Sequence, residues 1–233
     1  MKQLDKILTV EDVAKYENIS GGASDKYVPI YTTDLINMLA PEFKFDHGEQ
    51  VLGRSNAHYV DLVNDEGDRI RILNSFDRSL ALRISLVSEG VLIPLGVERL
   101  VHIGTKAKGF TDEVAESRQE IFEAVAVAKK FEMFLKNTPI TEDVAKDISR
   151  EIFTHGKDAK KITEIVNYVD LIDGLDIQRY INLSIRGFLT GNYTYMKDAV
   201  KAVGKKKNSV LGRIQIENRI VALFTAKYPE YFL

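Results

Sequence analysis

The clearest periodic signal runs from residue 51 to 104, where short apolar-alternating segments surround one polar loop at 74–79. Residues 58–63 and 69–73 both alternate with period two, and Asn64, Asp65, Glu66, Gly67 and Asp68 between them are the residue types that tight turns use. This predicts a hairpin. The next segment, 80–87, puts Leu80, Leu82, Ile84 and Leu86 on one face and Ala81, Arg83 and Ser85 on the other, a core side and a polar side. Residues 88–90 read as a second turn. Residues 91–95 read as an edge or end strand, because Pro94 cannot donate to a ladder, and 98–103 as a last strand.

On either side of this meander the pattern is helical. Residues 9–16 predict a short helix capped by Thr9 with acids in its first turn. After a Gly-rich break and an extended piece at 27–31, Thr32 or Thr33 is placed to cap a helix through Leu39 that Pro41 ends; 43–50 reads as a short extended lead into the meander. Past Gly104 the period changes to 3.6. Thr111 is placed to cap a long helix to about Lys136, with Val114, Ile121, Phe122, Val125, Ala128, Phe131 and Leu135 on one broad face. Thr141 opens another through Phe153, and further helices are expected at about 158–172, 176–190, 193–203 and 209–227. The fold class is therefore α+β: an antiparallel β-meander in the N-terminal half (1–109) flanked by short helices, then an all-α C-terminal half (110–233), expected to pack as one globular unit.

Composition narrows the class. Hydrophobic residues at 45% and charged residues at 28% of 233 exclude global disorder, and no apolar run approaches the roughly 18 residues of a membrane-spanning helix. The start of the chain lacks the features of a secretory signal and there is no cysteine, so a cytoplasmic protein without disulfide or thiolate chemistry is expected. A net charge of −2 excludes a polycation, so any contact with nucleic acid needs a local basic patch.

Two such patches stand out. Arg69 and Arg71 share one face of a predicted strand with Arg83 on the polar face of a later one; with Arg54, Arg78 and Tyr59 they would form a stripe suited to a single strand's phosphates and bases. The alternative is a solvated, salt-bridged face, since Asp61, Asp65, Glu66 and Asp68 lie close in sequence. Residues 197–219 hold seven cations against two acids, an excess of five. Within them Lys205, Lys206 and Lys207 sit between two predicted helices just after Tyr193 and Tyr195, the mixture of cations and aromatics used on single strands; a lysine-rich exposed turn is the plainer alternative. The 74–79 loop offers Asp77, Asn74, two serines and Phe76 for stacking, or is simply a turn. Metal and cofactor chemistry find no signature: the four histidines are scattered, and neither a phosphate-binding P-loop nor a nucleophile elbow is present.

Tyr27 to Leu35, Arg54, His58, the Asn-Ser-Phe-Asp-Arg-Ser-Leu-Ala run from residue 74 and the Ser-Glu-Gly-Val-Leu-Ile run from residue 88 follow one another in an order that resembles a phage- and plasmid-encoded family with no assigned activity. The resemblance covers about 27–95. This chain departs from that family where Phe76 replaces a loop histidine, Arg78 a glycine, and the turn at 87–90 a Cys-Ser-Asn-Gly. More distantly the chain is similar in type and size to the single-stranded-DNA-binding cofactors that some podophages use with their own RNA polymerase. The resemblance implies a phage or mobile-element origin rather than a reaction; joined to the two basic patches it leads to the expectation of a phage protein in the bacterial host cytoplasm that binds single-stranded DNA in transcription, replication or recombination. Its partners would be a phage or host RNA polymerase or replication protein; homo-oligomerisation stays open, and no cofactor is implied. Two alternatives stay beside it: a phage interaction protein that binds a host or phage protein through the 111–136 helix or the helical half, and a metal-dependent nucleic-acid enzyme using Asp77 and His58.

Overall fold

A computed structural model describes residues 7–17, 30–51, 57–75, 82–88, 91–95, 114–152, 176–190 and 210–231. The chain is α+β, with an antiparallel five-stranded sheet in its N-terminal half and helices after it. It divides into two compact units, Met1–Val87 with Pro94–Ala126, and Ser88–Ile93 with Val127–Leu233.

The sheet is an unbroken meander: β1 (Phe43–Gln50), β2 (Ala57–Asn64), β3 (Arg69–Ser75), β4 (Arg83–Ser88) and β5 (Val91–Pro94) lie side by side in chain order. The β2–β3 turn works through its polar side chains. Asn64 Oδ1 accepts from the Asp68 amide at 2.7 Å, its Nδ2 donates to the Asp68 carboxylate at 3.0 Å, and Gly67 takes φ 87°, which only glycine adopts without strain. Antiparallel pairing puts Val60 opposite Ile72, Leu62 opposite Ile70, Ile70 opposite Leu86 and Ile72 opposite Ile84. Phe45, opposite Leu62, joins this face. All four β2–β3 residues are fully buried, and each contributes roughly 1.5–3 kcal/mol by leaving water. The apolar half of the predicted alternation at 80–87 is thus the core side for Ile84 and Leu86; Leu80 and Ala81 lie outside the described residues. Pro94 sits on the edge strand, as proline requires.

β1 forms where the sequence reads as a short extended lead into the meander, and it pairs with β2 over its whole length. A register shift between Phe45 and His47 is the reason the alternation is hard to read: beyond the bulge Gly48 and Gln50 take the side that Phe43 and Phe45 held before it. Gly48 also gives the Leu8 backbone room to approach, since a Cβ there would meet the Leu8 carbonyl at 3.2 Å; the Leu8 amide donates to the Gly48 carbonyl at 2.8 Å.

Helix α1 (Val10–Glu17) starts as expected at Thr9, whose hydroxyl accepts from the Asp12 amide while Asp12 accepts from the Thr9 amide, both at 3.2 Å. For α2 (Thr32–Leu39) the expected threonine cap is not formed: Tyr31 is the N-cap and its side chain makes no capping bond, and Thr32 is already helical. Helix α3 (Val114–Asn137) runs from the first unit into the second and buries Ile121, Val125, Ala128, Phe131 and Leu135 along the predicted stripe. In the first unit Phe122 stacks on Phe43 with ring centroids 6.1 Å apart.

The second unit packs α4 (Glu142–Ile152), α5 (Ile177–Thr190) and α6 (Val210–Lys227) against one another, followed by a short 3-10 turn, Pro229–Tyr231. Thr141 caps α4 as predicted, accepting from the Val144 amide at 3.3 Å, and Asp176 caps α5, accepting from the Arg179 amide at 2.7 Å. Tyr180 is fully buried with its hydroxyl 2.8 Å from that of Ser149, and burial raises its pKa above the usual tyrosine value. Phe131, Phe134, Phe224, Tyr228 and Tyr231 pack ring against ring where the chain ends. Gln178, also fully buried, donates to the Ser88 carbonyl at 3.2 Å and to its hydroxyl at 2.6 Å, and that hydroxyl donates to Glu132. The expected strand at 98–103, the helices at 158–172 and 193–203, the start of α3 at Thr111 and the 109–110 boundary lie outside the described residues. Among the described residues no helix is long and apolar enough to cross a membrane.

Candidate nucleic-acid interface

The register assigns the sheet's second face. His47 and Glu49 of β1 stand opposite Asp61 and Tyr59 of β2; Asp61 and Val63 stand opposite Arg71 and Arg69 of β3; Arg71 and Leu73 stand opposite Ser85 and Arg83 of β4. Arg69, Arg71 and Arg83 do share one side of the sheet, as the alternation predicts. What they meet there is acid.

Arg71 makes a forked pair with Asp61, Nε to Oδ1 and Nη2 to Oδ2, both at 2.7 Å, and its guanidinium lies 4.0 Å from the centre of the Tyr59 ring. Arg69 donates to Asp46 at 2.6 Å and stands 3.6 Å from the same Asp61. Asp61 is only 2% exposed, so its charge is tolerable because two guanidiniums compensate it. Tyr59, 6% exposed, lies beneath Arg71 and does not offer its ring to a base. Burial, and then the hydrogen bond its hydroxyl gives to Glu49, push the Tyr59 pKa well above the ordinary value. His47 Nε2 lies 3.0 Å from Glu49, and Lys44 pairs with Asp65 at 2.6 Å. Of the two readings of the arginine stripe, the salt-bridged one is what the register builds for Arg69 and Arg71. Arg83 differs: it is exposed and makes no ion pair among the described residues.

On the core side of the sheet His58, opposite Asn74, forms a buried polar cluster that sequence reasoning missed. Asn74 Nδ2 donates to the Ile30 carbonyl at 2.8 Å and to the Thr32 hydroxyl at 3.1 Å, and that hydroxyl lies 2.8 Å from His58 Nε2. The Thr32 hydroxyl and His58 Nε2 share one hydrogen bond, whose direction follows the tautomer of the imidazole. Thr32, His58 and Asn74 are all fully buried, and burial lowers the His58 pKa to about 4. These residues are 42 positions apart at the extremes, and no local spacing announces them. They tie the start of α2 to β2 and β3. Asn74 therefore serves the core, and among the described residues no three His, Cys, Asp or Glu side chains could hold a metal ion.

Arg54, Phe76, Arg78, Tyr193, Tyr195, Lys205, Lys206 and Lys207 lie outside the described residues, as do Asp77 and His102. At the end of the basic stretch Arg219 donates to the Glu151 carbonyl at 3.4 Å, so it is anchored on α4. Charge is divided unevenly between the units. The first holds 14 Lys and Arg against 20 Asp and Glu, the second 18 against 14. A chain of net −2 thus separates into an acidic sheet-bearing unit and a basic helical one. Set against protein-family models, curated proteins and solved structures, the chain finds no match.

Proposed function

We propose that this protein binds single-stranded DNA through its basic helical unit and acts in phage transcription, replication or recombination. The observation that carries the reading is the charge division: the unit containing residues 197–219 has four more cations than acids, in a chain that is negative overall. Phosphates would be neutralised by Lys205, Lys206 and Lys207 with Lys197, Lys201 and Arg213, and Tyr193 and Tyr195 would stack on bases. Among the described residues of the stripe, Arg83 is the cation that makes no ion pair; Arg69 and Arg71 are committed to Asp46 and Asp61.

The test is fluorescence anisotropy with labelled single-stranded and duplex DNA of equal length at several salt concentrations. Tighter single-strand binding with a steep salt dependence is expected. Changing Lys205, Lys206 and Lys207 together to glutamine removes up to three phosphate contacts, which should flatten the slope of log K against log salt by about 2. An unchanged slope would take this turn out of the interface. No binding to either DNA at low salt would overturn the reading and leave a protein partner as the function to pursue.

A further inference from the structure

We draw no further inference here: the strongest candidate, the buried Gln178, Ser88 and Glu132 cluster at the start of α5, leaves one acceptor oxygen of Gln178 unpaired at a helix N-terminus whose dipole opposes the cation such an oxygen would take, and nothing in the structure shows what fills it.

Discussion

Acid should unfold this protein partly through one imidazole. His58 is fully buried against Thr32 and Asn74, and its pKa in the folded chain falls from 6.5 to about 4. The folded state thus holds a proton on this side chain less tightly than the unfolded state does. Stability from this group is complete above about pH 7, begins to fall as the pH drops through 6.5, and is fully lost near pH 4. The gap between the two values, at about 1.4 kcal/mol per pH unit, amounts to about 3 kcal/mol, a sizeable part of the 5–15 kcal/mol typical of a folded protein. The assay is urea denaturation at pH 7.5, 6, 5 and 4 for the wild type and for His58→Gln, whose amide can donate to or accept from the Thr32 hydroxyl. The variant should lose stability at pH 7.5 but lack the wild type's decline between pH 6.5 and 4. Carboxylates whose pKa values are lowered, such as Asp12 and Glu42, are common to both proteins and cancel in the comparison. Parallel acid limbs in the two proteins would refute the argument. If the variant does not fold, following the imidazole by NMR decides the matter: a midpoint below 5 is expected, and one near 6.5 would mean that burial does not govern this group.

The forked pair on the sheet gives a second expectation: Asp61→Ala strands the Arg71 guanidinium and should cost roughly 3 kcal/mol by urea titration, while Asp61→Leu combined with Arg71→Met should recover most of it. Arg83→Ala, by contrast, should leave the urea midpoint within about 0.5 kcal/mol of wild type, since the side chain is exposed and without an ion pair among the described residues. Gly67→Ala forces a side chain into φ 87° and should destabilise the hairpin by about 1–2 kcal/mol without changing far-UV circular dichroism. Gly48→Ala pushes against the Leu8 carbonyl, so the Leu8 amide should exchange with solvent faster while amides of the β2–β3 ladder keep their protection.

Short-range chemistry accounts for what the sequence reveals of this fold. Asn64 to Asp68 closes the turn with its own side chains, Thr9 and Thr141 cap the helices they precede, and Ile121, Val125, Ala128, Phe131 and Leu135 line one helical face. Each signal sits within a few residues of its effect. β1 reads only as an extended lead, without its alternation, because the shift after Phe45 exchanges the two faces mid-strand, and Thr32 is mistaken for a cap because its partner, His58, lies 26 residues on. The same limit governs the candidate interface. Alternation is enough to place Arg69, Arg71 and Arg83 on one side, but whether a guanidinium meets a phosphate or a carboxylate depends on which residue stands opposite or beside it, and for Arg71 the register answers Asp61.

The 24 residues of helix α3 belong partly to each compact unit, and the chain passes between the units three times, at 87–88, 93–94 and 126–127. No single cut releases either one. A break at Ala126 would leave helical stubs of 13 and 11 residues, and isolated helices shorter than about 12–15 residues are marginal in water. Gene fragments drawn at that point should therefore yield polypeptides that degrade or aggregate. Evolution meets the same obstacle: the acidic and basic portions cannot be exchanged with those of other proteins by joining ends, so whatever balance they hold has to be adjusted residue by residue.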